Sequence, residues 1–132
     1  MKESIHTIPA NISFNLNNKI ILITGATDGI GKALAKKTAK LGAKIILHGR
    51  NKKKLELLSD DIAADNDCQR PSIALLDFEI ADLNSYIKLS DDIHNNFNKL
   101  DGLVHCAGIL GDKTPIEQYK PEVWQKVLHV NL

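Results

Sequence analysis

The sequence predicts an α/β fold in which a doubly wound parallel sheet carries helices on both faces. Short runs rich in β-branched residues alternate with amphipathic segments of helical length. The strand-like runs are continuously apolar, which is typical of strands covered on both faces. Each pair of runs is separated by enough residues for a crossover helix, so we expect parallel strands in the order 3-2-1-4.

Four strands are predicted from these runs. The first is the segment KIILIT, which stops at Gly25, and the second is AKIILH. Both are short and end at a glycine or a polar residue, as buried strands do. The four predicted strands span residues 19–24, 43–48, 72–77 and 100–106.

Helical periodicity predicts the segments between the strands. The predicted helices span 29–41, 51–65 and 84–97, and a last helix begins at Pro121, a residue suited to the first helical position. Gly42 ends the first helix and Asn51 caps the second. The residues expected to face the sheet are Ile30, Leu34, Thr38 and Leu41; then Leu55, Leu58 and Ile62; then Tyr86, Leu89 or Ser90, Ile93 and Phe97. Residues 108–118 are predicted to form a loop.

Length and composition limit the classes of function. The 132 residues suffice for one domain, which we place at 19–132 after an irregular, Asn-rich lead-in at 1–18. Lys and Arg number 17 and Asp and Glu 16, so the net charge of +1 argues against a nucleic-acid-binding surface. No apolar run is long enough to span a membrane, and Met1–Ala10 lacks the apolar core of a secretory signal. We therefore expect a cytoplasmic protein without membrane or nucleic-acid partners.

The strongest motif is the turn between the first strand and the first helix, Thr24-Gly25-Ala26-Thr27-Asp28-Gly29-Ile30-Gly31. Gly25 permits the tight turn, Gly29 leaves room for a pyrophosphate, and Gly31 allows close packing of helix and sheet. Free N–H groups at the start of the helix can hold phosphates. The motif therefore predicts a dinucleotide site at the carboxyl ends of strands one and four.

The spacing G-x-x-x-G-x-G after Thr24 resembles the short-chain dehydrogenase/reductase family, whose fold is of the Rossmann type. Three further landmarks match in order: Asp77, the tract His105-Cys106-Ala107-Gly108, and Val130-Asn131-Leu132. The tract 110–112, with Pro115 and Trp124, is similar to a bacterial oxidoreductase branch of the family. The resemblance implies hydride transfer with a nicotinamide coenzyme and assembly into homo-oligomers.

The resemblance also implies roles for individual residues. Asn131 matches the active-site asparagine of the family. The coenzyme-binding set is Thr24, Gly25, Thr27, Asp28, Gly29, Ile30, Gly31, Arg50, Asn51, Asp77, Phe78, Cys106, Ala107 and Gly108. Cys106 departs from the pattern, which has an asparagine there, and we interpret it as a small buried residue rather than a nucleophile. No histidine and cysteine spacing predicts a metal site.

The end of the second strand favours NADP over NAD. An NAD-binding protein usually places a carboxylate near position 49 to bind the ribose 2′-hydroxyl. Here Gly49 removes the charge that would repel a 2′-phosphate, and Arg50 supplies a guanidinium that can bind it, with Asn51 and Lys52 able to assist. Asp28 opposes this preference, because some NADP-preferring relatives carry a basic residue there.

The catalytic half of the family pattern is missing from the sequence. The family's catalytic tyrosine precedes a lysine by four positions, but Tyr86 is followed there by Ser90 and Tyr119 by Val123. We therefore expect the NADP-binding part of an oxidoreductase, truncated on its C-terminal side and inactive alone, with an unknown substrate. A non-enzymatic nucleotide-binding or scaffold protein remains an alternative. A methyltransferase is a weaker one, because its second strand would end in an acidic residue.

Overall fold

The structure is a computed structural model, and it describes residues 14–132. Most of the predicted lead-in, residues 1–13, lies outside the described part of the chain, and residues 14–19 form no helix or strand. The strands are β1 (Ile20–Ile23), β2 (Lys44–Gly49), β3 (Ser72–Leu75) and β4 (Gly102–Val104). The α-helices are α1 (Gly29–Lys40), α2 (Lys52–Ala63), α3 (Leu83–Phe97) and α4 (Pro121–Asn131). A 3₁₀ turn at Ile116–Gln118 interrupts the loop predicted at 108–118.

The strands form one parallel sheet in the order β3-β2-β1-β4, as predicted. Ile21 pairs with Ile45 on one side and with Gly102 on the other, so β1 is central. The winding therefore reverses between β1 and β4, and their carboxyl ends define the crevice where α/β sheets bind ligands.

The two central strands hold the core. All four residues of β1 are buried, and Ile45, Leu47, Leu55, Leu58 and Ile62 pack with the inner residues of α1. On the opposite face, Ile20, Leu22, Ile46 and Ala74 contact Leu89, Ile93 and Phe97 of α3. The predicted inward faces of α2 and of the end of α3 are therefore confirmed. Tyr86, predicted to face the sheet at the start of α3, is 39% exposed and does not pack against these core residues.

The predicted inward face of α1 is partly wrong. Ile30 is 80% exposed, and the buried residues are Gly31, Ala35, Thr38 and Ala39. The reason is the close approach of α1 to the sheet: a Cβ atom on Gly31 would lie 3.0 Å from the carbonyl carbon of Gly25. Small side chains fit such a narrow gap, and the long Ile30 side chain points away from it.

The outer strands β3 and β4 are not buried on both faces, although their apolar sequences predicted this. Leu75 of β3 is 54% exposed and Leu103 of β4 is 49% exposed. Each outer strand pairs with one neighbour within residues 14–132, so β3 and β4 are both edge strands of the described sheet.

Local caps fix where the helices begin and end. Asn51 accepts a hydrogen bond from the Lys54 N–H at 3.0 Å, which confirms the predicted cap of α2. Gly42 adopts φ +91° directly after α1, and Pro121 opens α4, both as predicted. Trp124 is half-exposed and contacts Tyr119 edge-on, so it does not serve as a core residue within the described chain.

Candidate coenzyme site

A cleft of about 390 Å³ lies at the carboxyl ends of β1, β2 and β4. A larger hollow of about 510 Å³ between β3 and α3 contains none of the motif residues, so the chemistry points to the smaller cleft. Twelve of the fourteen predicted coenzyme-binding residues line it, whereas Thr24 and Asn51 do not; the lining also includes His48, Gly49, Leu76, Glu79, Ile109 and Val130. The predicted residues in the lining are Gly25, Thr27, Asp28, Gly29, Ile30, Gly31, Arg50, Asp77, Phe78, Cys106, Ala107 and Gly108.

The glycine turn has the geometry that a phosphate-binding turn requires. Gly25 has φ +60°, and a Cβ atom there would come within 2.7 Å of the Ala107 backbone. Gly29 has φ +50°, and a Cβ atom there would meet nothing within 4 Å. The backbone at the start of α1 therefore faces open space, where phosphates can approach its N–H groups.

Thr24 joins the glycine turn to the end of β4. Its hydroxyl oxygen accepts hydrogen bonds from the N–H groups of Cys106 and Ala107, both at 3.1 Å. Thr24 itself is 2% exposed. Its side chain thus holds the backbone that borders the cleft, rather than pointing to a ligand. The same bonds end β4 at Val104, two residues before the predicted end.

Asn131 is engaged with the backbone of the loop that follows β4. Its Oδ1 accepts from the Ile109 N–H at 2.8 Å, and its Nδ2 donates to the Ile109 carbonyl at 2.9 Å. Both ends of the amide are therefore used to tie α4 to this loop. The arrangement positions the loop at the rim of the cleft.

Charged pairs surround the end of β2. Arg50 Nη1 donates to Glu79 Oε1 at 2.7 Å, and Lys126 Nζ lies 2.8 Å from Glu79 Oε2. The hydrogen bond from Lys126, followed by that from Arg50, holds the pKa of Glu79 below its usual value. The guanidinium predicted for a 2′-phosphate is thus already engaged with a carboxylate.

A second pair stands at the glycine turn. Lys54 Nζ lies 3.0 Å from Asp28 Oδ2, and this hydrogen bond lowers the pKa of Asp28. The pair offsets the negative charge that Asp28 would otherwise bring toward phosphates. Thr27 Oγ1 also donates to Asp28, at 3.2 Å.

The floor of the cleft is formed by aromatic residues. The rings of His48 and Phe78 stack with centroids 4.2 Å apart, and Tyr86 continues the stack at 5.9 Å from Phe78. His48 is 2% exposed, and burial lowers its pKa, although the Leu76 backbone partly opposes that shift. Neither ring nitrogen of His48 makes a well-formed hydrogen bond within the described residues. Asp77 accepts from the Glu79 N–H at 3.0 Å, which fixes the turn after β3.

Sequence reasoning missed three of these residues. Glu79 and Lys126 carry no local motif, and they meet Arg50 only through the tertiary fold. His48 carries no motif of its own, and it is buried in the lining of the cleft. The apolar run before His48 was the one signal of its burial.

The described residues hold neither a cluster of metal-ligating side chains nor a helix that could span a membrane. Between residues 14 and 132, no three His, Cys, Asp or Glu side chains come together closely enough to hold a metal ion. In the same span, no helix combines the length and the apolar character that crossing a bilayer requires.

Known proteins share both the sequence pattern and the geometry. The family model described as short chain dehydrogenase matches residues 19–132. The chain belongs to the short-chain dehydrogenase family. A curated relative, the uncharacterized oxidoreductase YciK of Escherichia coli K12, is 41% identical over 117 residues, which is 89% of this chain and 46% of YciK.

Solved structures of family members agree. A putative short chain dehydrogenase from Shigella flexneri complexed with NADP superimposes with a TM-score of 0.86 at 38% identity, covering 91% of this chain and 50% of that one. A putative short chain dehydrogenase from Escherichia coli CFT073 complexed with NADPH gives the same TM-score at 39% identity, with coverages of 91% and 50%. The chain thus spans about half the length of the relatives it matches. It has the α/β fold of this oxidoreductase family, and these two neighbours were solved with NADP and NADPH.

Proposed function

We propose that this chain is the NADP-binding part of a short-chain oxidoreductase that transfers hydride between NADP(H) and a carbonyl or hydroxyl substrate. The bound nicotinamide would supply the hydride chemistry, and the residues described here would bind and orient the dinucleotide. The observation that carries the proposal is the open glycine turn at the start of α1, next to Gly49 and Arg50.

The preference for NADP rests on the end of β2. Gly49 presents no carboxylate, and a Cβ atom there would lie 3.3 Å from the Thr27 methyl and 3.4 Å from Leu55, so a larger side chain would need its neighbours to move. Arg50 follows immediately and keeps 59% of its side chain exposed. A guanidinium with free donors at this position suits a phosphate better than a hydroxyl.

We propose that the remaining residues bind different parts of the dinucleotide. The start of α1, from Asp28 to Gly31, takes the pyrophosphate. Asp77 and Phe78 border the adenine end, and the backbone of Cys106, Ala107 and Gly108 borders the nicotinamide side. Asn51 contributes through its amide nitrogen, because its oxygen is occupied by the cap of α2.

Residues 19–132 alone are proposed to bind coenzyme without turning over substrate. Neither Tyr86 nor Tyr119 has a lysine four positions later. A phenol needs a nearby cation to act as an acid or base near neutral pH. Carbonyl reduction by the 132-residue chain with NADPH would contradict this part of the proposal. Assembly into a homo-oligomer is proposed on family grounds, with half-exposed Trp124 as a candidate contact.

The test is titration of the chain with NADPH and NADH, followed by coenzyme fluorescence. Replacing Arg50 by Ala should weaken NADPH binding about tenfold to a hundredfold, because a charged hydrogen bond contributes roughly 1.5–3 kcal/mol. NADH binding should change much less, since it has no 2′-phosphate.

Arg70→Ala is the matched control. Arg70 also forms an exposed ion pair, with its Nη1 2.6 Å from Asp60 Oδ1, and it does not line the cleft. It should leave both affinities unchanged. Equal losses for the two coenzymes in Arg50→Ala would remove Arg50 from the 2′-phosphate role, and no binding of either coenzyme by the unmodified chain would refute the proposed function.

A further inference from the structure

We infer that Glu79 is a specificity-determining residue that weakens the preference for NADP over NAD. The inference rests on the proposed function, because it concerns the same coenzyme site. It assigns to Glu79 the carboxylate role that Gly49 leaves vacant at the end of β2. The carboxylate reaches the same place from the segment that follows β3.

The first observation is the charge balance of the cleft. Among the cleft-lining residues within 14–132, Arg50 is the one with a cationic side chain, whereas Asp28, Asp77 and Glu79 are acidic. Lys54 balances Asp28 from outside the lining. A dianionic phosphate that enters this cleft therefore meets one lining guanidinium and three carboxylates, of which Asp28 and Glu79 are paired with lysines from outside the lining. The carboxylate nearest to that guanidinium has the greatest influence on the phosphate.

The second observation is the direct ion pair between Glu79 and Arg50. Their side chains are joined at 2.7 Å, although they lie 29 positions apart in the chain. Any group that binds Arg50 consequently comes within a few ångströms of the Glu79 carboxylate. The bond to Glu79 uses Nη1 of the guanidinium, which leaves its other donors for a ligand.

The two coenzymes would experience this carboxylate differently. A 2′-phosphate carries about two negative charges near pH 7, so Glu79 repels it. A ribose 2′-hydroxyl is neutral and can donate a hydrogen bond to a carboxylate. Glu79 therefore opposes NADP binding and assists NAD binding, whereas Arg50 does the opposite. The site is built to accept both coenzymes, with a modest preference for NADP.

Lys126 modulates the same carboxylate from α4. Its Nζ lies 2.8 Å from Glu79 Oε2, on the oxygen that Arg50 does not bind. Lys126 offsets part of the Glu79 charge and leaves less repulsion for a phosphate. Loss of Lys126 should therefore weaken NADPH binding, whereas loss of the Glu79 charge should strengthen it.

The experiment measures the dissociation constants of NADPH and NADH for the chain and its variants by fluorescence titration. Glu79→Gln preserves the shape of the side chain and removes its charge. It should tighten NADPH binding about three- to tenfold, the size expected for a carboxylate and a phosphate a few ångströms apart in water. NADH binding should not tighten. Lys126→Gln should weaken NADPH binding by a similar factor.

Glu117→Gln is the matched control, because Glu117 is exposed in the 3₁₀ turn and does not line the cleft. Glu117→Gln should change neither the NADPH nor the NADH dissociation constant. The inference is overturned if Glu79→Gln, with an unchanged circular dichroism spectrum, leaves the NADPH to NADH ratio as it was or shifts both constants together. A loss of fold cannot imitate the expected result, because it weakens binding and Glu79→Gln should strengthen it. If Arg50→Ala weakens NADPH binding as proposed and Glu79→Gln changes neither dissociation constant, the Glu79 inference fails and the proposed function stands.

Discussion

Replacing Thr24 by Val should destabilise the protein, because it removes one hydroxyl that serves two backbone donors. The N–H groups of Cys106 and Ala107 each donate to Thr24 Oγ1 at 3.1 Å. Valine keeps the shape and the β-branch but accepts no hydrogen bond. Leaving such donors without a partner costs about 1–3 kcal/mol. We expect the free energy of unfolding to fall by about 2 kcal/mol, because both donors are partly buried and water reaches them incompletely.

The assay is urea and thermal unfolding followed by circular dichroism, with amide hydrogen exchange at Cys106 and Ala107. For a domain of this size, 2 kcal/mol corresponds to a fall in Tm of roughly 6–10 °C. Exchange at both amides should become faster in Thr24→Val, because their protected hydrogen bonds are gone.

Thr38→Val supplies the control for the chemistry of the substitution. Thr38 is also buried, but its hydroxyl donates to the carbonyls of Leu34 and Ala35 within its own helix. Those carbonyls retain their helical partners, so the variant should lose less than about 1 kcal/mol. If Thr24→Val and Thr38→Val prove equally stable, the hydroxyl does not join the glycine turn to β4 as argued.

Two further predictions concern the cleft and its rim. Burial lowers the pKa of His48, so the unfolded chain binds a proton before the folded protein does as the pH falls. The contribution of His48 to the free energy of unfolding should therefore be complete above about pH 6.5. Below that pH it should decrease, by up to about 1.4 kcal/mol per pH unit. In His48→Leu, the free energies of unfolding measured with urea at pH 5 and pH 7.5 should differ less than in the unmodified protein. Replacement of the exposed His129 should preserve the difference. An unchanged difference in His48→Leu would contradict the role of His48 in this pH dependence. Asn131→Ala should remove about 1 kcal/mol of stability at most and accelerate hydrogen exchange at Ile109, whose N–H donates to the Asn131 side chain. Normal protection of the Ile109 amide in that variant would show that the side chain does not hold the loop.

Sequence patterns within single segments correctly predicted the strands, the helices and their order in the sheet. The β-branched runs, the glycine turn and the caps at Asn51 and Gly42 depend on residues close together in the chain, and the structure confirms them. The order 3-2-1-4 is also confirmed, because crossover connections leave few alternatives.

Features that depend on distance between elements were not predictable in the same way. Ile30 fits a helical apolar pattern, yet the close approach of α1 to the sheet selects small residues and leaves Ile30 exposed. The Glu79 pair with Arg50 depends on how β2 and β3 align, and no short motif encodes it. The two backbone bonds to Thr24 likewise appear only when β1 and β4 are neighbours.

The position of β1 between β2 and β4 has a consequence for the order of folding. Pairing residue 21 with residue 45 closes a short loop, whereas the backbone of Ile20 meets the Asp101 side chain 81 positions along the chain. Loop-closure entropy makes the second step less favourable by about 1 kcal/mol, so we expect β1 and β2 to associate before β4 joins them. The crevice between β1 and β4 should then form after the β1–β2 pair, and a dinucleotide bound there would stabilise that later step directly.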